Sequence, residues 1–142
     1  MNTAAKACGS VREIPGRMEA LECLSRLLAG RSRAGAQALL VLVDEAAWAL
    51  ENGDPAAADR FLQAAYADLH RHVPPQARAF RWSGTALLAV YPAGAAPASS
   101  SVRARHAKSF ALKEFHGCDH LARAMDTWIG RNLFERSSQP SL

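Results

Sequence analysis

The chain is poor in the features that settle a protein's class outright. Its 142 residues include three cysteines, Cys8, Cys23 and Cys118, an odd number with no Cys-x-x-Cys pair, which argues against a disulfide framework or a zinc ribbon. No apolar run approaches the roughly 20 residues that span a bilayer, and Met1–Arg12 has no apolar stretch of the kind that forms a secretory signal. The expectation is a soluble, cytoplasmic protein. What is present is ordinary: 49% hydrophobic and 21% charged residues, which excludes wholesale disorder, in a length that suits one domain with one core.

Acidic residues are missing from one stretch in particular. Residues 78–108 carry Arg78, Arg81, Arg103, Arg105 and Lys108 and no acid, whereas residues 37–77 carry six acids against two arginines. A basic stretch of this kind suits a phosphate-bearing or acidic partner. No aromatics interleave with Arg103, Arg105 and Lys108, so the stacking platform of a single-strand nucleic-acid binder is lacking. A basic nucleic-acid adaptor is therefore the weakest of the readings kept.

Apolar spacing predicts the elements. Met18, Leu21, Leu24 and Leu28 recur at helical intervals before Gly30. Ala38–Val43 is a continuous apolar run of strand length, expected to be buried on both faces, and it ends on Asp44. A short helix over Glu45–Glu51 leads into Asn52-Gly53-Asp54-Pro55, where an aspartate N-cap and a proline at the first helical position start a long helix reaching about His72. Arg78–Trp82 and Ala86–Tyr91, joined around Ser83-Gly84, read as a β-hairpin. Pro92–Ser101 is a breaker-rich loop, Lys108–Phe115 a further strand, and Asp119 opens a last helix. The expected fold is α/β (α+β), a mixed sheet of four or five strands flanked by helices. It occupies residues 16–136 as a single domain, between a flexible tail over 1–15 and a disordered one over 137–142.

The residues from Ala38 to Pro92 also carry a pattern. A buried strand ends on Asp44, an aromatic, Trp48, follows four residues later, and Asn52 four after that. Asp59 lies in the first turns of the next helix. Arg81-Trp82-Ser83-Gly84-Thr85-Ala86 then leads into an apolar strand closed by Pro92, and Gly130-Arg131-Asn132 lies in the last helix. This resembles the GGDEF domain of diguanylate cyclases, which make cyclic di-GMP from two GTP molecules on a palm-type nucleotidyl-cyclase sheet. The resemblance implies that Asp44 occupies the metal-binding position, that Asn52 and Asp59 occupy the guanine-reading positions, and that Ser83 and Gly84 stand at the signature turn. Read without it, Asp44 is a strand-end carboxylate, Asn52 a turn residue, Asp59 a first-turn acid and Trp48 core.

The departures bear on activity. Where the family has the two signature carboxylates this chain has Thr85 and Ala86, and Asp44 alone does not supply the oxygen cage that Mg²⁺ requires for phosphoryl transfer. Pro74 and Ala77 stand at the positions of the product-inhibition motif. The reading is a catalytically inactive, degenerate GGDEF-like module with no cofactor or metal. It would serve as a protein-interaction, regulatory or scaffold subunit in a cyclic di-GMP-linked bacterial secretion, motility or polysaccharide system. A residual guanine-nucleotide sensor is the alternative. The interface is expected at the hairpin and the basic loop, on an under-covered sheet face or edge near Leu87–Tyr91 rimmed by Arg103, Arg105 and Lys108, and suited to an acidic or apolar protein or to a second copy. The alternative is that residues 102–116 fold back and seal the sheet.

Other chemistry finds little support. His116-Gly117-Cys118-Asp119-His120 is rich in metal-ligand types, but no second cluster completes a tetrahedron, and Ser83-Gly84 lacks the surroundings of a nucleophile elbow.

Overall fold

The computed structural model describes residues 14–93 and 106–138. Among these, four helices and four strands follow in the order α1 (Arg17–Ala29), β1 (Gln37–Leu42), α2 (Asp44–Glu51), α3 (Pro55–His72), β2 (Arg78–Arg81), β3 (Ala86–Tyr91), β4 (His106–Ala111) and α4 (Cys118–Ser138). Short 3-10 turns lie at Arg31–Gly35 and Leu112–Glu114.

The apolar run of β1 is central, as its composition requires. It is flanked by β3, with Leu40 opposite Leu88, and by β4, with Leu40 opposite Lys108. The strand order is β2-β3-β1-β4 and every neighbouring pair is antiparallel. This corrects the expectation of a mixed sheet. The α2–α3 crossover returns the chain into β2 in the same direction as β1, but the hairpin's second strand, β3, lies between them. The arrangement is a split β-α-β unit, and no parallel neighbours arise from it.

Side chains alternate between two apolar layers with the period of two that a pleated strand imposes. Ala38, Leu40, Leu42, Phe80, Trp82, Leu88, Val90 and Phe110 pack with Leu24, Leu28, Leu121, Met125 and Ile129 of α1 and α4. Leu39, Val41, Leu87, Ala89 and Tyr91 pack on the opposite side with Ala46, Ala49, Ala58, Leu62 and Leu69 of α2 and α3. Each fully buried Leu or Val contributes about 1.5–3 kcal/mol relative to an exposed one, so both helical layers hold the sheet. A sheet face left open at Leu87 and Tyr91 is therefore not found: both are 0% exposed, because Leu62 and Leu69 of α3 pack into the same layer.

Trp48 also departs from expectation. It is 57% exposed instead of buried. The buried stripe of the eight-residue α2 consists of Ala46, Ala47 and Ala49, and Trp48 projects from the other side. Among the described residues no helix is long and apolar enough to cross a membrane.

Candidate functional site

The candidate site lies where β1 ends and the β2–β3 hairpin turns. Val43 N–H donates to the carbonyl of Thr85 at 2.8 Å, which fixes the end of β1 against the turn. Asp44 follows as the first residue of α2 and is half-buried. The N-cap is Val43, which makes no side-chain cap bond. The turn is Ser83-Gly84-Thr85, closed by Trp82 N–H and Ser83 N–H donating to Ala86 O at 3.0 and 3.2 Å.

The polar atoms of the turn are directed at one another. Thr85 N–H donates to Ser83 Oγ at 3.2 Å, and the two hydroxyls lie 3.4 Å apart. Thr85 is 8% exposed and Ala86 0%. A Cβ built on Gly84 would come within 3.3 Å of Leu50 Cδ1, so α2 covers the turn from outside. Thr85 and Ala86 bring a hydroxyl and a methyl, and no carboxylate, to this place.

Asn52 and Asp59 are both exposed, and both already have partners. Asn52 Nδ2 donates to Trp48 O at 2.8 Å, closing the last turn of α2. The chain then leaves the helix through Gly53 at φ +72°, with Gly53 N–H on Leu50 O and Asp54 N–H on Ala49 O. That pair of bonds is a Schellman C-cap, and its left-handed residue favours glycine. Asp54 immediately begins the next helix, its Oδ1 accepting from Ala57 N–H at 3.1 Å. Asp59 Oδ1 takes Arg81 Nη2 at 3.0 Å across α3 and β2, and Arg81 Nε also donates to Ser83 O at 3.4 Å. The structure thus brings Asp59, Arg81 and Ser83 together, and it uses Asn52 as a helix cap.

Beneath the turn, the buried Trp82 donates its indole N–H to Asp126 Oδ1 at 2.9 Å. Arg17 pairs with the same carboxylate, and its guanidinium lies 4.0 Å from the Trp82 ring centroid. This fastening of α1, the hairpin and α4 has no sequence signal, since Trp82 and Asp126 are 44 positions apart.

Of the residues expected at an interface, Lys108 is exposed on edge strand β4, with Nζ 5.6 Å from the Phe110 ring. Arg103 and Arg105 lie outside the described residues. Among the described residues, the large exposed apolar side chains are instead Trp48, Leu50 and Phe61 on α2 and α3, with Met18 on α1. In the His116–His120 stretch, His116 N–H donates to His120 Nδ1, the two rings stack at 5.4 Å, and Cys118 Sγ donates to Leu21 O. Among the described residues no group of three or more His, Cys, Asp or Glu is placed to hold a metal ion.

Two groups stand apart, one buried and one half-buried. Tyr91 Oη is buried with no hydrogen-bond partner among the described residues, and burial pushes the phenol above its ordinary value of 10.0. Cys23 lies between Arg26 and Arg78, and burial raises its thiol above 9.0 against the opposing pull of Arg78 and Arg26.

No family model, no characterised protein and no solved structure matches the chain.

Proposed function

We propose that this chain is a non-catalytic GGDEF-like module, a regulatory or scaffold subunit that works by contact with another protein in a cyclic di-GMP-linked system. The observation that carries this reading is the state of the hairpin turn. Its hydroxyls bond to each other, Leu50 lies over Gly84, and Arg81 neutralises Asp59. Holding a triphosphate and two divalent ions requires carboxylates and open backbone at that turn, and this turn presents neither.

The contact surface follows from exposure. A Trp that is 57% exposed on a short helix is the type of side chain that anchors protein interfaces, and Leu50 of the same helix is 41% exposed. The α2–α3 surface is therefore favoured over the hairpin strands, whose apolar side chains are all buried.

Calorimetric titration with GTP and with cyclic di-GMP tests the reading, and neither is expected to give saturable heat. Saturable binding that Asn52→Ala with Asp59→Ala removes would replace the scaffold reading with the nucleotide-sensor one. Trp48→Ala is expected to abolish capture of a copurifying native partner, and the Asn52/Asp59 double variant is expected to retain it.

A further inference from the structure

At the other end of the β2–β3 hairpin, away from the turn, an open cleft of about 180 Å³ lies between α1 and the ends of the two strands. Cys23 and Leu27 of α1, Val90 at the end of β3, and Pro92 just beyond it give it a largely apolar lining. Its remaining lining residues among those described are Arg26, Arg78 and Gln76, and none of these is acidic. Arg78 approaches the Cys23 thiol and has its guanidinium 5.3 Å from the Phe80 ring centroid. Arg26 is held by Glu22 at 3.5 Å, an exposed i,i+4 pair of the kind worth only tenths of a kcal/mol and easily exchanged.

An apolar engineered cavity of about 150 Å³ is enough to hold a benzene ring, so a cleft of this size takes a group of six to eight carbons. Two guanidiniums beside an apolar slot suit a molecule with one anionic end and one hydrocarbon end. The guanidinium fork matches a carboxylate in geometry as well as in charge.

We infer that this cleft binds a medium-chain monocarboxylate, its hydrocarbon against Cys23, Leu27 and Val90 and its carboxylate between Arg26 and Arg78. The inference is independent of the function proposed for the turn. Cys23 gives a direct readout, because an occupant covers its thiol.

The test uses the full chain carrying Cys8→Ser and Cys118→Ser, so that Cys23 is the sole thiol. Its alkylation by N-ethylmaleimide is followed with octanoate, octanol or octylammonium present. Octanoate at millimolar concentration is expected to slow alkylation about tenfold, octanol less, and octylammonium not at all. Arg26→Gln with Arg78→Gln is expected to remove the advantage of octanoate over octanol, while circular dichroism shows the fold unchanged. Equal protection by octanoate and octanol, or none by octanoate, overturns the inference. Better protection by a short peptide ending in leucine with a free carboxylate also overturns it, in favour of a chain terminus.

Discussion

The two ends of the β2–β3 hairpin are finished in opposite ways. At the turn, every polar side chain described is engaged within the chain: Ser83 with Thr85, Arg81 with Asp59, Asn52 with the carbonyl of Trp48. At the far end, two arginines border an apolar cleft with no acid among the described residues of its lining. Charge alone does not mark a site. What distinguishes the ends is how the polar groups are engaged: those of the turn bond to one another, whereas Arg26 of the cleft is held by the exposed Glu22, outside the lining, at 3.5 Å.

The largest expected effect comes from breaking the fastening under the turn. Trp82→Ala removes a fully buried indole and should cost about 3–5 kcal/mol, read as a drop in the denaturation midpoint. Trp82→Phe keeps most of the packing and leaves Asp126 to Arg17, so about 1–2 kcal/mol is expected. Equal losses from the two would show that the hydrogen bond, and not the packing, anchors the turn. Next comes the junction that claims Asn52. Gly53 at φ +72° meets no steric obstacle at Cβ, so Gly53→Ala carries only the left-handed strain of about 1–2 kcal/mol. Asp54→Ala removes a cap worth about 1 kcal/mol.

Much of this was readable in the residues. The central strand, the Asp54-Pro55 helix start, the hairpin and the last helix each rest on a local rule, and the structure has all four. The antiparallel sheet was not readable, because it depends on β3 inserting between β1 and β2, a long-range choice that no local pattern encodes. Trp48 failed for a related reason. On a helix of only eight residues, three small alanines suffice to fill the buried stripe, and the large side chain is left outside. Leu87 and Tyr91 look available only until α3 is laid across them. The cleft needed α1 to meet the start of β2, which neither segment announces.

Smaller effects sharpen the contrast. Tyr91→Phe deletes a buried hydroxyl that has no partner among the described residues, so it should be neutral or stabilising by up to about 1 kcal/mol. Tyr91 and Cys23 both have their pKa raised on folding. The neutral forms are thus favoured in the native state, and their contribution is intact below the ordinary thiol value of 9.0. Stability should fall as pH rises through 9.0 and 10.0, and Tyr91→Phe should flatten the upper part of that fall when denaturation is followed against pH. The smallest effect is at the exposed Asp59–Arg81 pair, where Asp59→Ala should change stability by less than about 1 kcal/mol. A larger loss would mean that the pair holds the turn instead of merely occupying it.

The central claim, that the turn does no nucleotide chemistry, is tested most directly by incubating the purified full chain with GTP and Mn²⁺ or Mg²⁺ and measuring cyclic di-GMP. The account predicts no product above that of a chain-free control at any protein concentration. Cyclic di-GMP that accumulates in proportion to protein, and that Asp44→Ala abolishes, would contradict it.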